Sequence, residues 1–240
     1  QKRALQLEAV AHIEVQRLID HREDLQAETT STDYIAWLHR EFCNRLPEEM
    51  LWVENPDNGR RIQIEGGLLR TGWVQVGRHI PPSAEALPRF LKRFADAYDN
   101  SKLSRVRQNI ALGAAHHRLL WIHPFFDGNG RVTRLMSHAS LQRCGVGSSL
   151  WSVARGLARH VQEYKALLMA ADGPRRGDLD GRGTLSTQAL TAFCEFFLTI
   201  CTDQVEFMAS LLDPSDLLRR MRLHIEEEVE TATLPKGSFP

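Results

Sequence analysis

The chain has 240 residues, 42% of them hydrophobic, enough for one substantial core or at most two small ones. Its 30 Lys and Arg balance 30 Asp and Glu, and a net charge of zero argues against general affinity for nucleic acid or acidic membranes. Cys43, Cys144, Cys194 and Cys201 show no CxxC spacing and sit in apolar segments, so they read as buried free thiols in a reducing cytoplasm. No signal peptide and no apolar run long enough to cross a bilayer is visible, so a cytoplasmic protein without a membrane partner is expected, although a leader trimmed before Gln1 stays open.

The spacing of apolar residues predicts a mainly α-helical fold. The first helix covers residues 4–21, where Leu7, Val10, Ala11 and Leu18 form one stripe with Glu14 in its middle. A carboxylate there needs a cationic partner or an unburied face, since burying it unpaired costs several kcal/mol. A second helix is expected over 32–45. Residues 61–80 are the main exception: Ile62 and Ile64 alternate with polar residues, and Leu69 and Val74 or Val76 flank Thr71-Gly72, a hairpin-turn candidate. Pro81-Pro82 ends it. Helical patterns return over 83–99 and 102–121. In the latter, His116 and His117 face different directions and have no third ligand at an established spacing, so they read as structural.

The most informative segment runs from His123 through Pro124, Phe125, Phe126, Asp127, Gly128, Asn129, Gly130, Arg131, Val132 and Thr133 to Arg134. Pro124 stops the preceding helix. Gly128 and Gly130 permit positive φ, so amides around Asn129 can form an anion-binding nest at the start of the next helix, expected over 130–143. Val132, Leu135, Met136 and Ala139 recur at helical spacing toward the core, while Arg131 and Arg134 lie off that stripe, about 60° apart. Two guanidiniums, an anion nest and Asp127 suited to Mg²⁺ describe a polyphosphate site. His123 is the segment's neutral-pH base.

A helical pattern over 152–171 carries Tyr164, and the loop 172–184 follows. Its Asp178-Leu179-Asp180-Gly181-Arg182-Gly183 is similar to a calcium loop, but Arg182 occupies a ligand position and Ala189 stands where the bidentate Glu belongs. It reads as a turn before the helix expected over 186–212. A last amphipathic helix, over 215–230, presents Leu217, Leu218, Met221 and Ile225 and ends in an acidic run.

Every fixed position of the segment His123 to Arg134 matches H-x-F-x-D/E-G-N-G-R-x-x-R, and the chain resembles the Fic family from about Thr30 to Leu212. The resemblance implies a Fic-fold helical bundle with a small β-hairpin flap: an inhibitory helix over 1–29, the Fic domain over 30–212, and a helix and tail over 213–240 that could link to a further segment. It implies transfer of AMP from MgATP to a Ser, Thr or Tyr hydroxyl of a protein. His123 would be the base and Asp127 the Mg²⁺ ligand. Gly128, Asn129 and Gly130 would form the anion hole, Arg131 and Arg134 would hold the β- and γ-phosphates, and Phe125 would anchor the loop.

The family's flap maps to Arg70, Thr71, Gly72, Trp73, Val74, Gln75, Val76 and Gly77, whose extended backbone would align the target. Its inhibitory pattern S/T-x-x-x-E-G/N maps Glu14 onto Arg134, with Val10 and Val15 departing from it, and Tyr164 falls where an adenine pocket is expected. A homodimer is a further expectation, and nucleic acid only through a segment outside this chain. The same site could instead serve an AMP-removing phosphodiesterase, an ATP-sensing regulator without turnover, or transfer of UMP or phosphocholine.

Overall fold

The computed structural model describes residues 2–54, 59, 61–146 and 151–231. Its described residues form helices α1 (Lys2–Asp20), α2 (Thr32–Cys43), α3 (Leu87–Tyr98), α4 (Arg105–Ile122), α5 (Asn129–Arg143), α6 (Val153–Arg159), α7 (Val161–Ala171), α8 (Thr187–Leu211) and α9 (Pro214–Glu230). Strands β1 (Trp52–Glu54) and β2 (Arg61–Gln63) pair antiparallel. Helix starts follow the capping residues: Ser31 accepts from the Tyr34 amide, Ser152 from Ala154, and Ser186 from Ala189. None of the described helices is long and apolar enough to cross a membrane.

Two apolar clusters share the α4–α5 pair. The first joins α1, α2, α3, α4 and α5 through residues such as Val15, Leu38, Leu91, Leu119, Phe125 and Leu135. The second joins α4 and α5 to α6, α7 and α8 through Leu112, Leu157, Tyr164, Phe193, Phe197 and Ile200. Close approach is needed in the second: a Cβ on Gly156 would lie 2.5 Å from Ile200. The four cysteines are buried free thiols, and burial pushes Cys43 and Cys201 up to about 12, so they stay protonated. Buried polar contacts fasten α1 to α5: Asp20 meets His138 at 2.7 Å and Gln142 at 2.6 Å.

Three differences from expectation have local causes. The helix expected over 152–171 is two helices, because His160 takes a non-helical backbone (φ −114°, ψ 32°) without any proline or glycine at the break. Residues 61–63 do form a strand, but its partner is the upstream Trp52–Glu54, too short for alternation to show. Thr71-Gly72 is consequently no hairpin turn. The flap chain folds back farther along, where Val76 and His79 form an isolated bridge around Gly77 at φ 60°.

Candidate active site

The loop between α4 and α5 is shaped by two left-handed residues. His123 caps α4 at φ 50° and ψ 63°, its amide bonded to the Leu119 carbonyl at 3.0 Å. Such a backbone is uncommon outside glycine and costs energy that surrounding contacts must offset. Gly128, at φ 78°, starts α5 and accepts from the Arg131 and Val132 amides. The first amides of α5 then have no intrahelical acceptor and face an incoming anion. A Cβ on Gly128 would lie 3.3 Å from the His39 ring, so glycine is needed for space as well as for φ.

The loop is anchored from inside. Phe125 is fully buried and stacks on His39 at 3.8 Å between ring centroids and 5° between planes. Asn129 closes the loop with its side chain, accepting from the Phe125 amide at 3.0 Å and donating to the Phe125 carbonyl at 2.9 Å. An anion can therefore use the Asn129 backbone amide but not its committed carboxamide. Asp127 is exposed, with one carboxylate oxygen accepting from the Gly128 amide at 2.7 Å.

His123 is held neutral. Burial lowers its pKa to about 4, opposed by a hydrogen bond to the Leu120 backbone and reinforced by the charges of Arg70 and His79. A neutral imidazole that donates from one nitrogen to a carbonyl keeps the other as an acceptor, the state a general base needs.

The two arginines, one turn apart, have different companions. Arg131 forms an ion pair with Glu8 of α1. Arg134 lies beside Gly130, where its Nη1 would be 3.3 Å from an added Cβ. It also acts on the Tyr164 hydroxyl by charge and hydrogen bonding. Behind Tyr164 runs a buried chain: His116 Nε2 lies 2.7 Å from the Tyr164 hydroxyl, His116 Nδ1 lies 2.8 Å from Ser137 Oγ, and that hydroxyl donates to the Thr133 carbonyl at 2.9 Å. Because Ser137 spends its proton on Thr133, His116 must carry its own proton on Nδ1 and accept at Nε2. Burial, first, and the Arg134 charge keep His116 neutral.

Glu14 is not where the apolar stripe suggested. The buried face of α1 is Ala11, Val15 and Ile19, Val10 is 53% exposed, and Glu14 pairs with Arg45 of the segment after α2 at 3.4 Å. Toward Arg134 the same helix directs His12, whose pKa falls to about 3 through burial and then through the Arg134 and His138 charges. Glu8, by contrast, shares a small cleft with His39, Asp127 and Gly128. Tyr164, expected at an adenine pocket, is only 8% exposed, with its hydroxyl against His116 Nε2. Arg70 is buried rather than presented to a target, whereas Trp73 and Val76 are exposed at 54% and 46%. His39, Glu8 and His12 escape sequence reasoning. His39 offers one local signal, a histidine in register with apolar Ile35 and Phe42.

Residues 29–141 match the Fic/DOC family. Protein adenylyltransferase Fic of Drosophila melanogaster is 43% identical over 83 residues, which cover 34% of this chain and 17% of that protein. The Drosophila willistoni protein of the same name is 40% identical over 82 residues, 34% of this chain and 16% of its own length. The chain thus spans a small part of these relatives. Among solved structures, a Fic family protein from Desulfovibrio desulfuricans G20 aligns with a TM-score of 0.61 at 20% identity, covering 85% of this chain and 53% of that one. The BepC protein from Bartonella tribocorum, with bound AMPPNP, aligns with a TM-score of 0.52 at 12% identity, covering 82% and 86%. At such identities the likeness is one of fold.

Proposed function

We propose, from the match of residues 29–141 to the Fic/DOC family, that the chain is a protein adenylyltransferase using ATP as AMP donor. The observation that carries this reading is a neutral His123 set at the mouth of an anion-binding helix start flanked by Arg131 and Arg134. The identity to named protein adenylyltransferases supports it.

In this reading the amides after Gly128 receive the α- and β-phosphates, Arg131 the β-phosphate region and Arg134 the γ-phosphate. The free nitrogen of His123 takes the proton of a Ser, Thr or Tyr hydroxyl as its oxygen forms the new bond to the α-phosphorus. The bond from that phosphorus to the bridging oxygen breaks, and pyrophosphate leaves. Fixed donors around developing charge are the main catalytic task in such transfers. Among the described residues no group of three or more His, Cys, Asp or Glu could hold a metal alone. A lone exposed Asp127 suits Mg²⁺, which binds through one or two carboxylates together with substrate phosphates. The ion would neutralise charge on the departing pyrophosphate.

The target chain would lie along Thr71, Gly72, Trp73, Val74, Gln75, Val76 and Gly77, a segment whose exposed apolar side chains support contact with another protein. Control by α1 would run through Glu8, since its carboxylate competes with phosphate for Arg131. Incubation with ATP labelled at the α-phosphate should transfer label to a protein band, and the His123→Ala variant should not. Label at the γ-phosphate reaching protein would instead mean a kinase, and release of free AMP from a pre-modified target without transfer would mean the reverse phosphodiesterase.

A further inference from the structure

One side chain ties the flap to the catalytic histidine. Arg70 is 2% exposed, and its guanidinium donates Nε–H to the His123 carbonyl at 2.8 Å, Nη1 to the Gly72 carbonyl at 2.9 Å, and Nη2 to the Pro82 carbonyl. Its own amide donates to the Pro124 carbonyl at 2.9 Å. The three side-chain acceptors come from the base itself, the entrance of the flap and its exit. His123 ends α4, so its carbonyl lacks an intrahelical donor, and its left-handed backbone depends on outside contacts. A charged donor makes these bonds stronger than neutral ones, and a rigid planar fork holds three separated carbonyls in fixed directions at once. The flap also rests on the loop and on the end of α4: a Cβ on Gly72 would meet the Phe126 ring at 3.4 Å, and His79 Nε2 lies 2.7 Å from the Trp121 carbonyl.

We propose that Arg70 is a positioning residue that locks both ends of the flap and the His123 backbone into one body, fixing where a flap-bound hydroxyl meets the base. This rests on the reading that a protein hydroxyl is the acceptor. Arg70 has no part in holding ATP, which leaves a separable signature.

Two variants test it, Arg70→Lys, which keeps the charge but not the fork, and Arg70→Ala. Each should lower kcat for protein modification by about tenfold to a hundredfold, the scale of a misplaced reacting group. ATP affinity should stay within about twofold. Hydrogen exchange should quicken together at flap amides 70–80 and at His123, Phe125 and Phe126, with the α7 and α8 amides unchanged. Methylguanidinium should restore part of the Arg70→Ala activity, and sodium at equal ionic strength should not. Unchanged exchange at His123 and Phe125 in both variants, or ATP affinity falling in step with kcat, would overturn the proposal. If the unaltered protein modifies no target, the functional reading fails while the exchange experiment still decides the role of Arg70.

Discussion

Arg131 and Arg134 occupy the same helix one turn apart, yet one is held from outside and the other from inside. Arg131 answers to Glu8, a side chain of another helix at the rim, 19% exposed in an ion pair that solvent reaches. Arg134 lies inside, its charge bearing on Tyr164, from which a buried relay runs through His116 and Ser137 to the backbone of the same helix. A contact at the rim can open when α1 shifts or when phosphate competes, because water screens the separated charges. A buried relay cannot open without stranding polar atoms. The comparison teaches that, under the proposed function, one of the two phosphate-binding arginines is preset and the other is contested.

The largest expected effect falls on the residue both halves serve. His123→Ala should cut AMP transfer by about 10²- to 10⁴-fold while ATP still binds, measured with ATP labelled at the α-phosphate and by titration calorimetry. Retained transfer would remove His123 from the chemistry.

Breaking the inner half comes next. Tyr164→Phe leaves His116 Nε2 without its partner in a fully buried site and should cost about 1–3 kcal/mol of stability. ATP affinity should also fall, since Arg134 loses its support. A variant with unchanged Tm and unchanged ATP affinity would show that the relay sets nothing.

The outer half behaves oppositely. Glu8→Ala should free Arg131 and raise ATP affinity or transfer by about tenfold, equivalent to about 1.4 kcal/mol. Glu14→Ala should change neither, because it removes a half-exposed pair with Arg45. Faster transfer from Glu14→Ala with no gain from Glu8→Ala would reverse the assignment.

The effect spread over most groups is on acid stability. His12, His39 and His123 have pKa values lowered by burial to about 3, 4 and 4, and burial also holds His116 well below its ordinary value. Below the unfolded value near 6.5, the unfolded chain binds protons these groups refuse when folded, so stability rises with pH through that window. Each contributes at most about 1.4 kcal/mol per pH unit. Thermal unfolding followed from pH 8 to 4.5 should show a plateau above pH 7 and a decline below 6.5, and replacing His39 should shallow that decline. A Tm independent of pH across the window would contradict neutral buried histidines.

Much of the site was legible because its parts are consecutive. Residues 123–134 carry their geometry in short-range terms: a proline that ends a helix, glycines that allow positive φ, and a helical repeat that sets Arg131 and Arg134 on neighbouring directions. The helical class and most helix limits follow from the same local periodicity. What tertiary structure decided is which distant groups meet this segment. Glu8 and Glu14 are six positions apart, about 120° around one helix, so only one can face α5. The choice was made by Val15 and Ile19 entering the core and by Asp20 docking on His138. Tyr164 and Arg70 are similar cases: each has a side chain long enough for surface or core, and the surroundings, not the residue type, turned the first inward to Arg134 and the second to the His123 carbonyl. Rotational phase between packed helices depends on contacts from the whole core, and no window of sequence contains it.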